Sequence, residues 1–149
     1  MKKILLSTAF TILVIFPFNI YSESKNFRVK AANGLNMRSE KGKTSSIITL
    51  LPPGSAVKFI EESEEKETLG GKKGNWIKVK YLDHKGWVFS PYLNITESND
   101  PLILYMEFLE KNDSNDLNSL VKARKKFNQI FSNNKNDADN GLRLYRQFS

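Results

Sequence analysis

Between Phe27 and Leu93 the apolar residues fall in short runs, each closed by a turn-forming or polar group. None of these runs carries the three- and four-residue spacing that a buried helix face needs. The chain here reads as short strands. Phe27-Arg28-Val29-Lys30-Ala31 alternates apolar and polar, as a half-buried strand does, and Asn33-Gly34 then offers a turn that tolerates positive φ. Leu35-Asn36-Met37-Arg38 resumes the alternation, and residues 39–46 form a polar loop. Ile47 to Leu51 is a compact apolar strand, turned sharply by Pro52-Pro53-Gly54 into Ala56-Val57-Lys58-Phe59-Ile60. In Trp76 to Tyr81 the period of two puts Trp76, Lys78 and Lys80 on one face and Ile77, Val79 and Tyr81 on the other. Leu82 to Gly86 reads as a turn and Trp87-Val88-Phe89 as the closing strand. Five or six short strands with frequent turns predict a small barrel or sandwich. Its expected core is Val29, Leu35, Met37, Ile48, Leu50, Val57, Ile77, Val79 and Val88.

Residues 61–75 are the least ordered part of this reading. An acidic run, Glu61 to Glu67, meets a Gly/Lys run, Gly70 to Gly74, and the expectation is a flexible hairpin whose opposite charges face each other.

Beyond residue 96 the period changes to that of helices. Asp100 can cap a helix whose first position is Pro101, with a stripe of Leu102, Tyr105, Met106 and Leu109 widened by Leu104 and Phe108. Asp113 or Ser114 is a cap for a second helix bearing Leu117, Leu120, Val121, Phe127, Ile130 and Phe131. A last short helix carries Leu142, Tyr145 and Phe148 on one side. Such helices cannot make a large core alone. They dock on the strands, pair with each other, or bind something else.

The start of the chain reads as a secretory signal peptide: Lys2-Lys3, an apolar run from Ile4 to Phe18, the breaker Pro17, and small residues at Ser22 and Ser24. The alternative is an uncleaved membrane anchor, against which Pro17 and the short apolar run argue; removal after Ser22 or Ser24 leaves an exported protein of about 125 residues, periplasmic or extracellular and without a membrane span. With no Cys in the sequence, disulfides, thiolate metal sites and a Cys nucleophile are excluded, and the single His84 cannot supply a multi-histidine zinc site. Residues 25–95 carry 13 Lys/Arg against 7 Asp/Glu, while residues 96–149 carry 8 of each. A basic module outside the cytoplasm attracts anionic glycans, head groups or acidic proteins, and export argues against nucleic acid.

The strand elements resemble those of bacterial SH3 domains. The signature Leu-Asn-hydrophobic-Arg is Leu35-Asn36-Met37-Arg38; a hydrophobic strand and Gly turn follow at Ile47-Ile48 and Leu50 to Gly54. A Trp strand, a Gly-Trp-Val strand and a Tyr-Leu pair match Trp76, Gly86-Trp87-Val88 and Tyr92-Leu93. The long charged hairpin at 61–75 departs from the family pattern. The resemblance, which spans roughly residues 27 to 93, implies a mainly β fold with an SH3-like β-barrel over residues 25–95; the helical period adds a C-terminal helical hairpin or short helical extension over residues 96–149. The resemblance also implies binding of cell-wall peptidoglycan, its peptides, or an envelope protein.

In this reading Gly86 admits a close approach that a Cβ would obstruct, and Arg38 and Asn36 fix loops through hydrogen bonds. The contact residues expected for a ligand are aromatics and cations near loop ends: Trp76, Trp87, Tyr81, Tyr92, Arg38 and Lys43. Catalysis would require paired carboxylates, a nucleophile with its base, or a metal. The acids at 61–67 sit in the charged hairpin and His84 sits in a turn, so neither an enzyme nor a cofactor is expected. An interaction scaffold working through the amphipathic C-terminal helices is the alternative.

Overall fold

The structure is a computed structural model that describes residues 25–149. The signal peptide expected over residues 1–24 lies outside the described residues.

Seven antiparallel strands form one curled sheet: β1 (Asn26–Val29), β2 (Leu35–Arg38), β3 (Ile47–Leu51), β4 (Ala56–Leu69), β5 (Lys72–Tyr81), β6 (His84–Phe89) and β7 (Leu93–Thr96). Their spatial order is β3-β2-β6-β5-β4-β1-β7. β1 therefore sits between the early strand β4 and the last strand β7, with Phe27 opposite Val57 on one side and Ile95 on the other. The concave face of the sheet collects Val29, Met37, Leu51, Val57, Val79 and Val88, each almost wholly buried. Burial of one such side chain contributes about 1.5–3 kcal/mol.

Two residues expected in the core are outside it. Ile48 is 40% and Leu50 55% exposed. β3 is an edge strand whose pairing with β2 sets Leu51 opposite inward Leu35 and Leu50 opposite exposed Asn36, and the register shift between Met37 and Arg38 leaves Ile48 without an opposite residue. The turn expected from Leu82 to Gly86 is also shorter: β6 begins at His84, paired with Tyr81.

The segment expected to be flexible is continuous strand. β4 and β5 pair to the tip, Leu69 opposite Lys72, around Gly70 and Gly71 at φ 57° and 75°. Positive φ at both central residues is what a two-residue type I′ hairpin turn requires. Replacing Gly70 by Asn, which tolerates that conformation and would find only the Tyr92 hydroxyl at 3.6 Å from its Cβ, is expected to stabilise the protein by about 0.5 kcal/mol in urea denaturation. The charge pairing expected between the two runs is absent among the described residues, since Lys72 and Lys73 stand opposite Leu69 and Thr68; the ion pair between these strands is lower down, where Lys78 Nζ meets Glu61 Oε1 at 3.0 Å. Between that pair and the tip the pairing shifts register, between Glu62 and Lys66. Buried Ser63 satisfies the irregular backbone there: its hydroxyl donates to Glu65 O (3.1 Å) and accepts from Trp76 N (3.1 Å), and its carbonyl accepts from Asn75 Nδ2 (2.8 Å).

The helices α1 (Pro101–Glu110), α2 (Leu117–Phe131) and α3 (Ala138–Phe148) pack on the sheet, and their buried residues join its core as one cluster. Asp100 caps α1 as expected, accepting from Leu102 N at 2.9 Å, with Pro101 in the first turn. The same carboxylate holds the helix to the barrel: Arg28 Nε and Nη2 donate to its two oxygens at 2.6 and 2.7 Å. Arg28 Nη1 also reaches Gly54 O (2.7 Å) and Asp137 (2.8 Å), just before α3. At the other end of α1, Glu110 accepts from Lys58 and Lys80 at 2.7 and 2.8 Å. The cap of α2 is Asp116, not Asp113 or Ser114, and that start leaves Leu117 and Val121 exposed while Ser119, Ala123 and Phe131 turn inward. In α3 the buried line is Gly141 and Leu144, with Leu142, Tyr145 and Phe148 at its margins. Ile103, absent from the expected stripe of α1, is fully buried, and Leu104 is exposed.

Candidate functional site

The two faces of β5 and β6 do different work. Ile77 and Val88 point into the main core, so their neighbours Trp76 and Phe89, directly opposite each other, stand on the outer face. There Trp76, Trp87 and Phe89 make a second cluster, with Leu69 and Tyr92 packed against it. Trp76 and Phe89 have ring centroids 5.5 Å apart at 52°, a tilted contact that adds to their area burial. Trp76 Nε1 donates to Glu67 Oε2 at 3.0 Å, so the buried indole has its partner. The hairpin tip is held over this cluster because Gly74 lies against Pro91, where a Cβ would overlap the proline ring.

This packing leaves an open groove of about 810 Å³ between the hairpin tip, the Lys30–Gly34 turn and β2. Its floor is Leu35, Trp76, Phe89, Tyr92 and Leu69, and its rim carries Lys30, Arg38, Lys43 and Lys72. Arg38 is fixed as the sequence predicts: its Nη1 donates to Ser45 O at 2.5 Å, and Ser45 Oγ ties the loop by donating to Glu40 O and Gly42 O. Lys72 Nζ lies 4.5 Å from the centroid of the Tyr92 ring, within cation–π range. The Asn36 side chain is exposed.

Of the six expected contact residues, the groove brings together Trp76, Tyr92, Arg38 and Lys43. Trp87 is 8% exposed and lies outside it, under Lys41 and Lys78, each 5.5 Å from its ring. Tyr81 is 5% exposed in the main core, where burial raises its hydroxyl pKa against the opposing field of Arg143. Lys30, Lys72 and Phe89 line the groove without having been singled out from the sequence. The signal for Lys30 was its place beside the Asn33-Gly34 turn; Lys72 was hidden in a run that reads as solvated charge.

Residues 33–94, from the turn before β2 into β7, match the family described as Bacterial SH3 domain. The chain carries a bacterial SH3 domain. No curated protein matches the chain. The SH3 match places the Leu-Asn-Met-Arg element in β2, the Gly-Trp-Val element in β6 and the Tyr-Leu pair at the start of β7. Domains of this family are generally binding modules and often belong to envelope-associated proteins. Among the described residues, no helix is long and apolar enough to cross a membrane. In this SH3 domain the groove offers a guanidinium, ammonium groups and aromatic faces, which suits recognition of an extended polar chain.

Proposed function

We propose that the protein is a non-enzymatic, exported binding module that holds an extended peptide segment of the cell wall in the groove over Trp76 and Tyr92. The observation that carries this reading is the groove itself, an aromatic floor rimmed by cations on the outer face of a bacterial SH3 domain. Export rests on the basic start, apolar run and Pro17 of the first residues. An exposed peptide of the wall is polar along its backbone and apolar at its side chains, and the groove supplies counterparts for both.

Retention on purified sacculi tests the proposal. The wild-type protein is expected to be retained at physiological salt, and Tyr92→Ser, which opens the floor beneath Lys72, is expected to weaken retention about tenfold. Circular dichroism checks that the variant is folded. A wild-type protein that washes straight through rejects the wall as the target and leaves an envelope protein as the partner. Capture of a partner through the helices has less support, because the apolar faces of α1 and α3 are packed against the barrel and each other.

A further inference from the structure

We propose that the segment bound in the groove carries a free peptide carboxylate, read by Arg38 and Lys43; the inference rests on the groove being the binding site. Among the described residues, four cations of this domain are held in ion pairs. On the side facing the helices, Arg28 is shared by Asp100 and Asp137, and Lys58 and Lys80 converge on Glu110. Lys78 faces Glu61. Around the groove the pattern reverses: among the described residues, none of Lys30, Arg38, Lys43 and Lys72 has a carboxylate within 4.0 Å. No acidic residue lines the groove. The paired cations are structural, and four of the unpaired ones, Lys30, Arg38, Lys43 and Lys72, meet around one concave surface, while Lys25, Lys41, Lys66, Lys73 and Lys85 lie outside it.

Four like charges around an apolar-walled cleft focus a positive potential on its contents and raise the local concentration of anions. Arg38 is prepared for such a ligand. Its bond to Ser45 O engages one terminal nitrogen and fixes the guanidinium plane, leaving Nε and Nη2 for a planar, two-oxygen acceptor. A carboxylate has that shape. The apolar floor asks for aliphatic groups close to the anion, which a short peptide provides. A membrane surface is flat on this scale and would meet protruding lysines better than a groove.

The test compares three soluble probes by calorimetry on the purified protein: a wall-derived muropeptide with free carboxylates, the same muropeptide amidated, and an acidic linear peptide of L-residues. The free muropeptide is expected to bind at least about tenfold tighter than the amidated one. The advantage should shrink in 0.5 M salt, near the strong-screening limit of about 1 M, and again in Arg38→Gln and Lys43→Gln. Lys43 is exposed, so its replacement keeps the test clear of folding effects. Equal affinity for free and amidated muropeptides, with Tyr92→Ser still weakening both, overturns the carboxylate preference while the groove stands. If no probe binds and sacculi still retain Tyr92→Ser, the groove is not the site and both readings fall. Binding of the linear peptide alone supports carboxylate recognition and overturns the wall as its source.

Discussion

Gly86→Ala is expected to destabilise the protein by about 3 kcal/mol, a large share of the roughly 5–15 kcal/mol that holds an ordinary domain folded. A Cβ at this position would stand 2.6 Å from Arg38 O, 2.6 Å from Met37 Cγ and 2.9 Å from Ile48 Cδ1. The first of these is backbone, in the strand that pairs Arg38 with Trp87, and it cannot swing aside as a side-chain end would. Relief requires β2 and β6 to part, which opens the curled sheet at its fully buried Met37 and Val88. The shift of the urea midpoint measures the effect. A change below about 0.5 kcal/mol, the level of an ordinary surface substitution, would show that the close approach is not tight in solution.

Arg28→Met is expected to cost a similar amount, about 3 kcal/mol, for an electrostatic reason. The substitution keeps an aliphatic stem but leaves Asp100, whose side chain is 7% exposed, without its main counter-charge. Breaking a buried pair from one side costs about 3–5 kcal/mol because the remaining charge stays desolvated; the partial exposure of Arg28 places the expectation at the low end. The pH dependence identifies the cause. Burial of Asp100 would raise its pKa, but the bonds from Arg28 and Thr96 outweigh it and hold the folded value below the ordinary one. Glu110 behaves alike, with burial opposed by Lys58 and Lys80. A carboxylate with a depressed folded pKa contributes stability that is present above its unfolded pKa and lost as pH falls through the folded value. Wild-type stability should therefore be level through neutral pH and fall below about pH 4. In Arg28→Met the protonated Asp100 is the better-tolerated form, so the gap to wild type should narrow in acid. A gap that is constant with pH would assign the loss to packing alone.

Legibility in the sequence followed locality. The alternation from Trp76 to Tyr81 assigned both faces of β5, and it already placed Tyr81 beside Ile77 and Val79, on the side that proves buried. The Asp100-Pro101 cap and the close approach at Gly86 were readable because each depends on a few adjacent residues. Ile48 and Leu50 were misplaced because a strand's own residues do not say whether it has one neighbour or two. The hairpin at 61–75 hid its order behind charge: the glycines that resemble a flexible tract fix its register. Arg28 gave no sign of its role, since its partners lie 72 and 109 residues away. The groove was half readable for the same reason. Trp76 and Tyr92 could be chosen by type, but the neighbours that complete it come from three separate turns.

The position of β1 sets the tempo at which this molecule can assemble. Its partners are β4 and β7, so the first strand of the sheet must wait for a segment some seventy residues downstream before both its edges are filled, Arg28 finding Asn94. Closing so long a loop is entropically unfavourable before the contacts that reward it exist, and barrels dominated by such distant pairings fold in about milliseconds to seconds rather than microseconds. The local hairpin of β4, β5 and β6 can form early, whereas β1, β7 and the Arg28 network arrive last. Until they do, the helices lack the Arg28 anchor that ties the starts of α1 and α3 to the sheet.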